Sequence, residues 1–162
     1  MFFMSNLIYV LSYNIRSAYN IGAIFRTADG AGVNKIILGG YTPSPSHQKV
    51  SKTALGAEKN INWEKVSQSV KKIDELKKEG FQIIGLEIRK KIKFDFYYNF
   101  KPRFPCLLIL GNETKGLPSR ILKKCDKIIT IPMRGKKESL NVSVAFGIVI
   151  YHLSNFKFKN YQ

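Results

Sequence analysis

Five near-continuous apolar runs punctuate the chain: Leu7–Ser12, KIILGG (Lys35–Gly40), FQIIGLEI (Phe81–Ile88), CLLILG (Cys106–Gly111) and KIITIP (Lys127–Pro132). None alternates cleanly between apolar and polar, so each predicts a strand covered on both faces. Between them the period changes. Ile21, Ile24, Phe25 and Ala28 recur at helical spacing and predict a helix closing in the glycine-rich GAGV (Gly30–Val33). Val66, Val70, Ile73 and Leu76 predict a second amphipathic helix within Asn62–Gly80, lysines outward and Gly80 as its stop. A short helix at Ser119–Lys124 and a long apolar one from Leu140 onward complete the pattern, while the prolines of YTPSPSH (Tyr41–His47) exclude a regular element there.

These elements predict an α/β fold, a mostly parallel sheet with helices on both faces. The length of 162 residues, with no internal repeat, low-complexity stretch or linker, points to a single domain, 1–162. In open sheets of this kind ligands bind beyond the carboxyl ends of the strands. The loops of interest are therefore NIRSAYNIGAIFR, LEIRKK, GNETKGLP and PMRGKKESLN, one after each of four strands.

Charge narrows the partner. Lysine and arginine number 27 against 11 acids, a net charge of +16, which favours a polyanion over mere solvation of the surface. Nucleic acid comes first and an anionic membrane surface second. Cys106 and Cys125 are 19 residues apart, and only His47 and His152 are available beside them, so neither a zinc site nor a disulfide framework is expected. The longest apolar run, Val142–Leu153, falls short of the roughly 20 residues that cross a bilayer. The start, MFFMSNLIYVLS, lacks the basic segment of a signal peptide. A cytoplasmic protein is expected, without a membrane or metal partner.

Two nucleotide motifs are excluded by spacing. GNETKGLP has the glycine interval of a phosphate-binding loop but Leu117 and Pro118 where Lys and Ser/Thr must stand, and no G-x-G-x-x-G opens the first helix. NIGAIFRTADGAGV (Asn20–Val33), LILGNETKGLP (Leu108–Pro118) and ITIPMRGKKESLNVSVA (Ile129–Ala145), in that order, instead resemble the SpoU/TrmH-like branch of the SPOUT methyltransferases. KTALGAE (Lys52–Glu58) is similar to its small single-domain members.

The resemblance implies 2′-O-methylation of ribose in tRNA or rRNA, with S-adenosyl-L-methionine as donor and S-adenosyl-L-homocysteine as product. It also implies a homodimer, no DNA specificity, no separate RNA-binding domain, and a C-terminal deep trefoil knot, although chain connections rarely thread loops. A non-catalytic RNA-binding protein keeping the same fold is the alternative.

By resemblance the catalytic group is Arg26, Asn20, Glu113, Ser139 and Asn141. Arginine is effectively always protonated, so Arg26 is expected to clamp phosphate and ribose, the proton leaving through that phosphate or a transiently neutral guanidine. Asn20 either fixes the loop or the arginine, or is an ordinary helix cap. Glu113 is expected to orient Arg26 or a substrate group, unless it forms a surface ion pair. Ser139 is expected to cap the long helix and, with Asn141, to face ribose or cofactor, Ser143 only packing. The cofactor is expected against Leu86, Gly111, Gly116, Ile131, Met133 and Leu140. The basic, aromatic tail NFKFKNYQ is either a frayed end or a strip touching RNA.

Overall fold

The structure, a computed structural model, describes residues 6–88 and 92–158. Seven strands, β1 (Ile8–Tyr13), β2 (Lys35–Gly39), β3 (Asn62–Val66), β4 (Gln82–Leu86), β5 (Asp95–Phe96), β6 (Cys106–Leu110) and β7 (Lys127–Thr130), form one sheet in the order β3-β2-β1-β6-β4-β7-β5. Neighbouring strands pair in parallel, as predicted. Among the described residues six helices accompany them: α1 (Ala18–Gly30), α2 (Gln48–Ala54), α3 (Ala57–Asn60), α4 (Ser69–Lys78), α5 (Ser119–Leu122) and α6 (Val142–Phe158).

The apolar runs are continuous because alternate residues of one strand feed two different cores. Cys106, Leu108 and Leu110 of β6 join Ile8 and Val10 of β1 beneath α1, α2 and α6. Leu107 and Ile109 join Leu11 and Tyr13 on the opposite face, beneath α4 and α5. β6 is buried at every position, so the loop that leaves it emerges at the middle of the sheet.

The helix predicted across Asn62–Gly80 divides. Asn62–Val66 is instead the edge strand β3, held against β2 in register from Lys35↔Asn62 to Gly39↔Val66. Its Glu64 is gripped by Lys35 at 3.3 Å and Lys72 at 2.9 Å. An edge strand needs no apolar alternation, and pairing with β2 overrides the local pattern. Gly80 does stop α4, in a left-handed conformation with Phe81 N–H donating to the Leu76 carbonyl at 3.0 Å. The helices α2 and α3, the strand β5 and the 3-10 turn Tyr97–Asn99 have no counterpart in the predicted pattern. Arg89, Lys90 and Lys91 of LEIRKK, the MFFMS start and the last four residues of the basic tail lie outside the described residues.

The helices α1 and α2 touch at Gly22, where a Cβ would stand 2.6 Å from Thr53 Cβ and 2.5 Å from the Val50 carbonyl oxygen. Alanine there would gain about 0.5–1 kcal/mol as a helix former. Overpacking typically costs about 1–3 kcal/mol, so packing decides the sign. Gly22→Ala is expected to destabilise by on the order of 1 kcal/mol, read in thermal unfolding as a fall in Tm of about 2–4 °C. An unchanged or higher Tm would show that this contact is not tight.

Candidate functional site

Three loops leave the carboxyl ends of β1, β6 and β7 and meet above the centre of the sheet. The middle one, Gly111–Pro118, is shaped by its own residues. Asn112, only 8% exposed, accepts from the amides of Thr114 (3.0 Å) and Lys115 (2.9 Å) through its side-chain oxygen. Its amide nitrogen donates to the Asn14 carbonyl (2.8 Å) and the Tyr41 hydroxyl (3.1 Å), which ties this loop to the one after β1. A Cβ on Gly111 would lie 2.6 Å from the backbone of Gly116. Gly116 has φ +65°, and a Cβ there would run into the Glu87 carboxylate, which accepts from Leu117 N–H at 2.6 Å. Gly111 is thus required by close approach of backbone, and Gly116 by its backbone conformation.

Glu113 links that loop to α1. Its carboxylate accepts from the backbone amides of Arg16 (2.9 Å) and Ser17 (3.0 Å) and from the side-chain amide of Asn20 (3.2 Å). Burial raises its pKa, the hydrogen-bond donors of Arg16, Ser17, its own backbone amide and Asn20 lower it, and the outcome lies below the ordinary value of 4.5. Asn20 is not the helix cap: Ser17 caps α1, its hydroxyl accepting from Asn20 N–H at 3.2 Å. The Asn20 side-chain oxygen accepts from Asn141 at 3.1 Å. Asn141, not Ser139, caps α6, its side-chain oxygen accepting from the Ser143 amide (2.9 Å), the Ser143 hydroxyl (2.6 Å) and the Val144 amide (3.3 Å). Ser143 therefore hydrogen-bonds as well as packs.

These groups surround a cleft of about 310 Å³, within the range of small-molecule sites. Leu86, Gly111, Gly116, Ile131 and Leu140 line it, together with Glu113, Ser139 and Asn141. Leu86, Ile131 and Leu140 supply apolar walls that suit a flat heterocycle. Glycine backbone at 111 and 116 gives close access. Residues 131–140 form no helix or strand, so their peptide groups are not tied up in a ladder. Glu87, Glu113 and Glu138, three of only 11 acids in the chain, also line the cleft, and they suit a cationic ligand. Met133 does not line it but stands in the adjoining depression. Arg26 is also apart: it lies exposed on α1, does not line the cleft, and has no hydrogen-bond or ion-pair partner among the described residues. Sequence reasoning missed Asn112 and Glu87. The Asn at the first position of a turn was the available signal for the former; Glu87 had none.

Comparison with known proteins gives a consistent answer. The SpoU rRNA methylase family model matches residues 7–151. YacO of Bacillus subtilis (strain 168), whose name places it in the TrmH family of tRNA/rRNA methyltransferases, is 31% identical over 139 residues, 86% of this chain and 55% of its own. The chain therefore spans about half the length of the curated relatives it matches. Among solved structures, the A. aeolicus TrmH/SpoU tRNA modifying enzyme is similar with a TM-score of 0.85 at 30% identity, covering 97% of this chain and 80% of that one. The SpoU methyltransferase AviRb from Streptomyces viridochromogenes has a TM-score of 0.86 at 25% identity over 96% and 62% of the two chains. AviRb has also been solved in complex with the cofactor AdoMet.

Glu113→Gln replaces one acceptor oxygen by a donor facing amides that already donate. It is expected to destabilise by about 1–3 kcal/mol at neutral pH, the cost of stranding a hydrogen-bonding group. Because the folded pKa is depressed, the wild-type advantage is present above the unfolded value near 4.5. It is lost as pH falls through the lower folded value. Denaturant unfolding of both proteins from pH 7 to pH 3 checks this, and a difference independent of pH would contradict the ionised network.

Proposed function

Because the chain belongs to the SpoU rRNA methylase family, we propose that it methylates a ribose 2′-hydroxyl in tRNA or rRNA, using S-adenosyl-L-methionine. The observation that carries this reading is the convergence of Glu113, Ser139 and Asn141, two of them joined through Asn20, on the cleft walled by Leu86, Gly111, Ile131 and Leu140. The cleft's acid-rich lining in a chain of net charge +16 suits a sulfonium bound inside and a polyanion bound outside. The bound cofactor of AviRb supports the same choice of donor.

The cofactor supplies a methyl group on a positive sulfur, so the chain has to provide alignment and a route for one proton. Alignment can contribute about 7–11 kcal/mol. Leu86, Ile131 and Leu140 would hold the cofactor's adenine, and the backbone at Gly111 and Gly116 would leave room for the rest of it. Ser139, which makes no hydrogen bond among the described residues, and Asn141 present polar atoms to the substrate sugar. Glu113 is a weak base because its oxygens already face N–H donors. It acts as a positioning residue, fixing Asn20 and through it Asn141. The clamp on phosphate and 2′-oxygen falls to Arg26, whose guanidinium holds both bidentately while the proton passes to the phosphate oxygen.

Arg26 stands outside the cleft of its own chain. The reading therefore includes a homodimer in which α1 of one copy faces the cleft of the other. The exposed apolar residues Val144 and Tyr151 of α6, with Tyr151 lying over Gly30 of α1, fit such an interface. The Ile131–Leu140 segment is proposed to belong to a trefoil knot.

Incubating the protein with RNA and isotopically labelled S-adenosylmethionine, then mapping the label by mass spectrometry, tests the reading. Label on a ribose is expected, and Arg26→Ala should lose on the order of 10²–10⁴ in rate while calorimetric cofactor affinity stays within twofold. Label on a base would replace the 2′-O assignment. No cofactor binding, with or without RNA, would leave an RNA-binding protein that only shares the fold.

A further inference from the structure

Beyond the cofactor cleft, the outer edge of the sheet carries a run of uncovered aromatic rings. Phe94, Phe96 and Tyr98 are 38%, 37% and 46% exposed, whereas Tyr97 between them turns inward and packs edge-on against His152 of α6 at 5.6 Å. The three outward rings touch in sequence. Phe94 and Phe96 meet edge to face at 5.6 Å, and Phe96 and Tyr98 stack at 5.5 Å with 7° between their planes. Folding alone does not call for three large rings left in water at an edge strand of two residues.

Their surroundings indicate an occupant. Phe94 and Phe96 form a wall between two depressions. The larger one, about 830 Å³, is also bounded by Pro132 and Met133 and carries Lys136 and Lys137. It shares Ile88, Ile131 and Glu138 with the cofactor cleft, so the two adjoin. The smaller, about 420 Å³, carries Lys101 and Lys127. Lys127 is partly engaged by Asp95 at 3.5 Å, but Lys101, Lys136 and Lys137 stand exposed with no ion pair among the described residues. Flat rings interleaved with free cations are what unpaired nucleotides require: the rings take the bases by stacking and the ammonium groups take the phosphates. An acidic peptide would use the lysines but not the parallel rings, and an apolar partner would be opposed by the lysines. A paired helix would hide its base faces from Phe96 altogether.

We propose that the Phe94–Phe96–Tyr98 wall and its lysine rims form a stacking platform for unpaired RNA nucleotides flanking the one delivered to the cofactor cleft. The proposal rests on RNA being the substrate. It adds that recognition at this edge demands a single-stranded segment.

The test uses the full chain, a fluorescently labelled 12-nucleotide RNA, the same RNA annealed to its complement, and a version carrying one 2-aminopurine. Wild-type protein is expected to bind the single strand more tightly than the duplex and to quench 2-aminopurine by stacking. Phe94→Ala/Phe96→Ala should weaken single-strand binding by about 5- to 150-fold for each stacked base lost, with duplex binding and cofactor affinity changed less than twofold. Lys136→Ala/Lys137→Ala, which leaves the rings in place, should instead flatten the dependence of binding on salt by about 0.7 per phosphate contact. Single-strand binding and quenching unaltered by both variants would overturn the platform while leaving RNA as substrate. Sedimentation showing that the aromatic variant dissociates a dimer would assign the face to a second copy of the chain and equally overturn it. A wild-type protein that binds no RNA would remove the functional reading itself, and the platform with it.

Discussion

A single carboxylate holds the site together. Glu113 receives two backbone amides at the start of α1 and the side-chain amide of Asn20, which joins the loop after β6 to the helix after β1. A negative charge at the N-terminus of a helix is favourable on its own account. Here it also sets the direction of everything beyond it. Because Glu113 accepts, Asn20 must turn its nitrogen toward it and its oxygen toward Asn141. Asn141 must then offer its nitrogen to Asn20, leaving its oxygen for the free amides at the start of α6. The same orientations follow when the chain of bonds is read backward from α6, where three donors converge on the Asn141 oxygen. Each amide orientation is therefore determined twice, from opposite ends.

The sheet explains why these segments can meet at all. β1 and β4 flank β6, and the sheet extends outward on one side through β2 to β3 and on the other through β7 to β5. A crevice opens where the direction of winding changes, beyond the carboxyl ends of the central strands. Since β6 is buried throughout, its loop is anchored at the floor of that crevice, and Asn112 and the Glu87 contact curl it back over the opening. The approach distances at Gly111 and Gly116 leave no room for side chains in this curl. The backbone there is wall and lining at once.

Much of this was legible beforehand, for reasons that differ by element. β6 and β2 were readable because strands buried on both faces carry their environment in their composition. The cleft residues Leu86, Gly111, Gly116, Ile131 and Leu140 were reached through motifs whose glycines and apolar positions reflect a backbone fold. β3 was not readable: it is an edge strand whose only determinant is the free edge of β2, and Val66 happens to continue the helical period of α4. The assignment of the α6 cap failed because Ser139 and Asn141 are equally good caps. Asn20 already engages Asn141, and this selects the start of the helix two residues later. The isolation of Arg26 could not be read either, since a motif gives order along the chain and not proximity.

Charge is divided in the molecule in a way that bears on how it works. The chain carries 27 basic residues and 11 acidic ones, so an average surface patch is positive, yet three glutamates line the cleft. Two of these carboxylates are fastened by N–H donors, Glu113 to the start of α1 and Glu87 to Leu117 and Ile88. Their negative charge is fixed in place before any ligand arrives. Such preorganised charge costs no rearrangement when a cation enters. A lysine that stands exposed carries a strongly hydrated ammonium on a flexible stem, suited to a polyanion whose contacts shift along its length. Fixed acids thus outnumber the one lysine, Lys115, around the cleft, while the rest of the basic excess lies elsewhere on the chain. The Asn20–Asn141 link, neutral and at the rim of the cleft, joins α1 to α6 without adding charge to either.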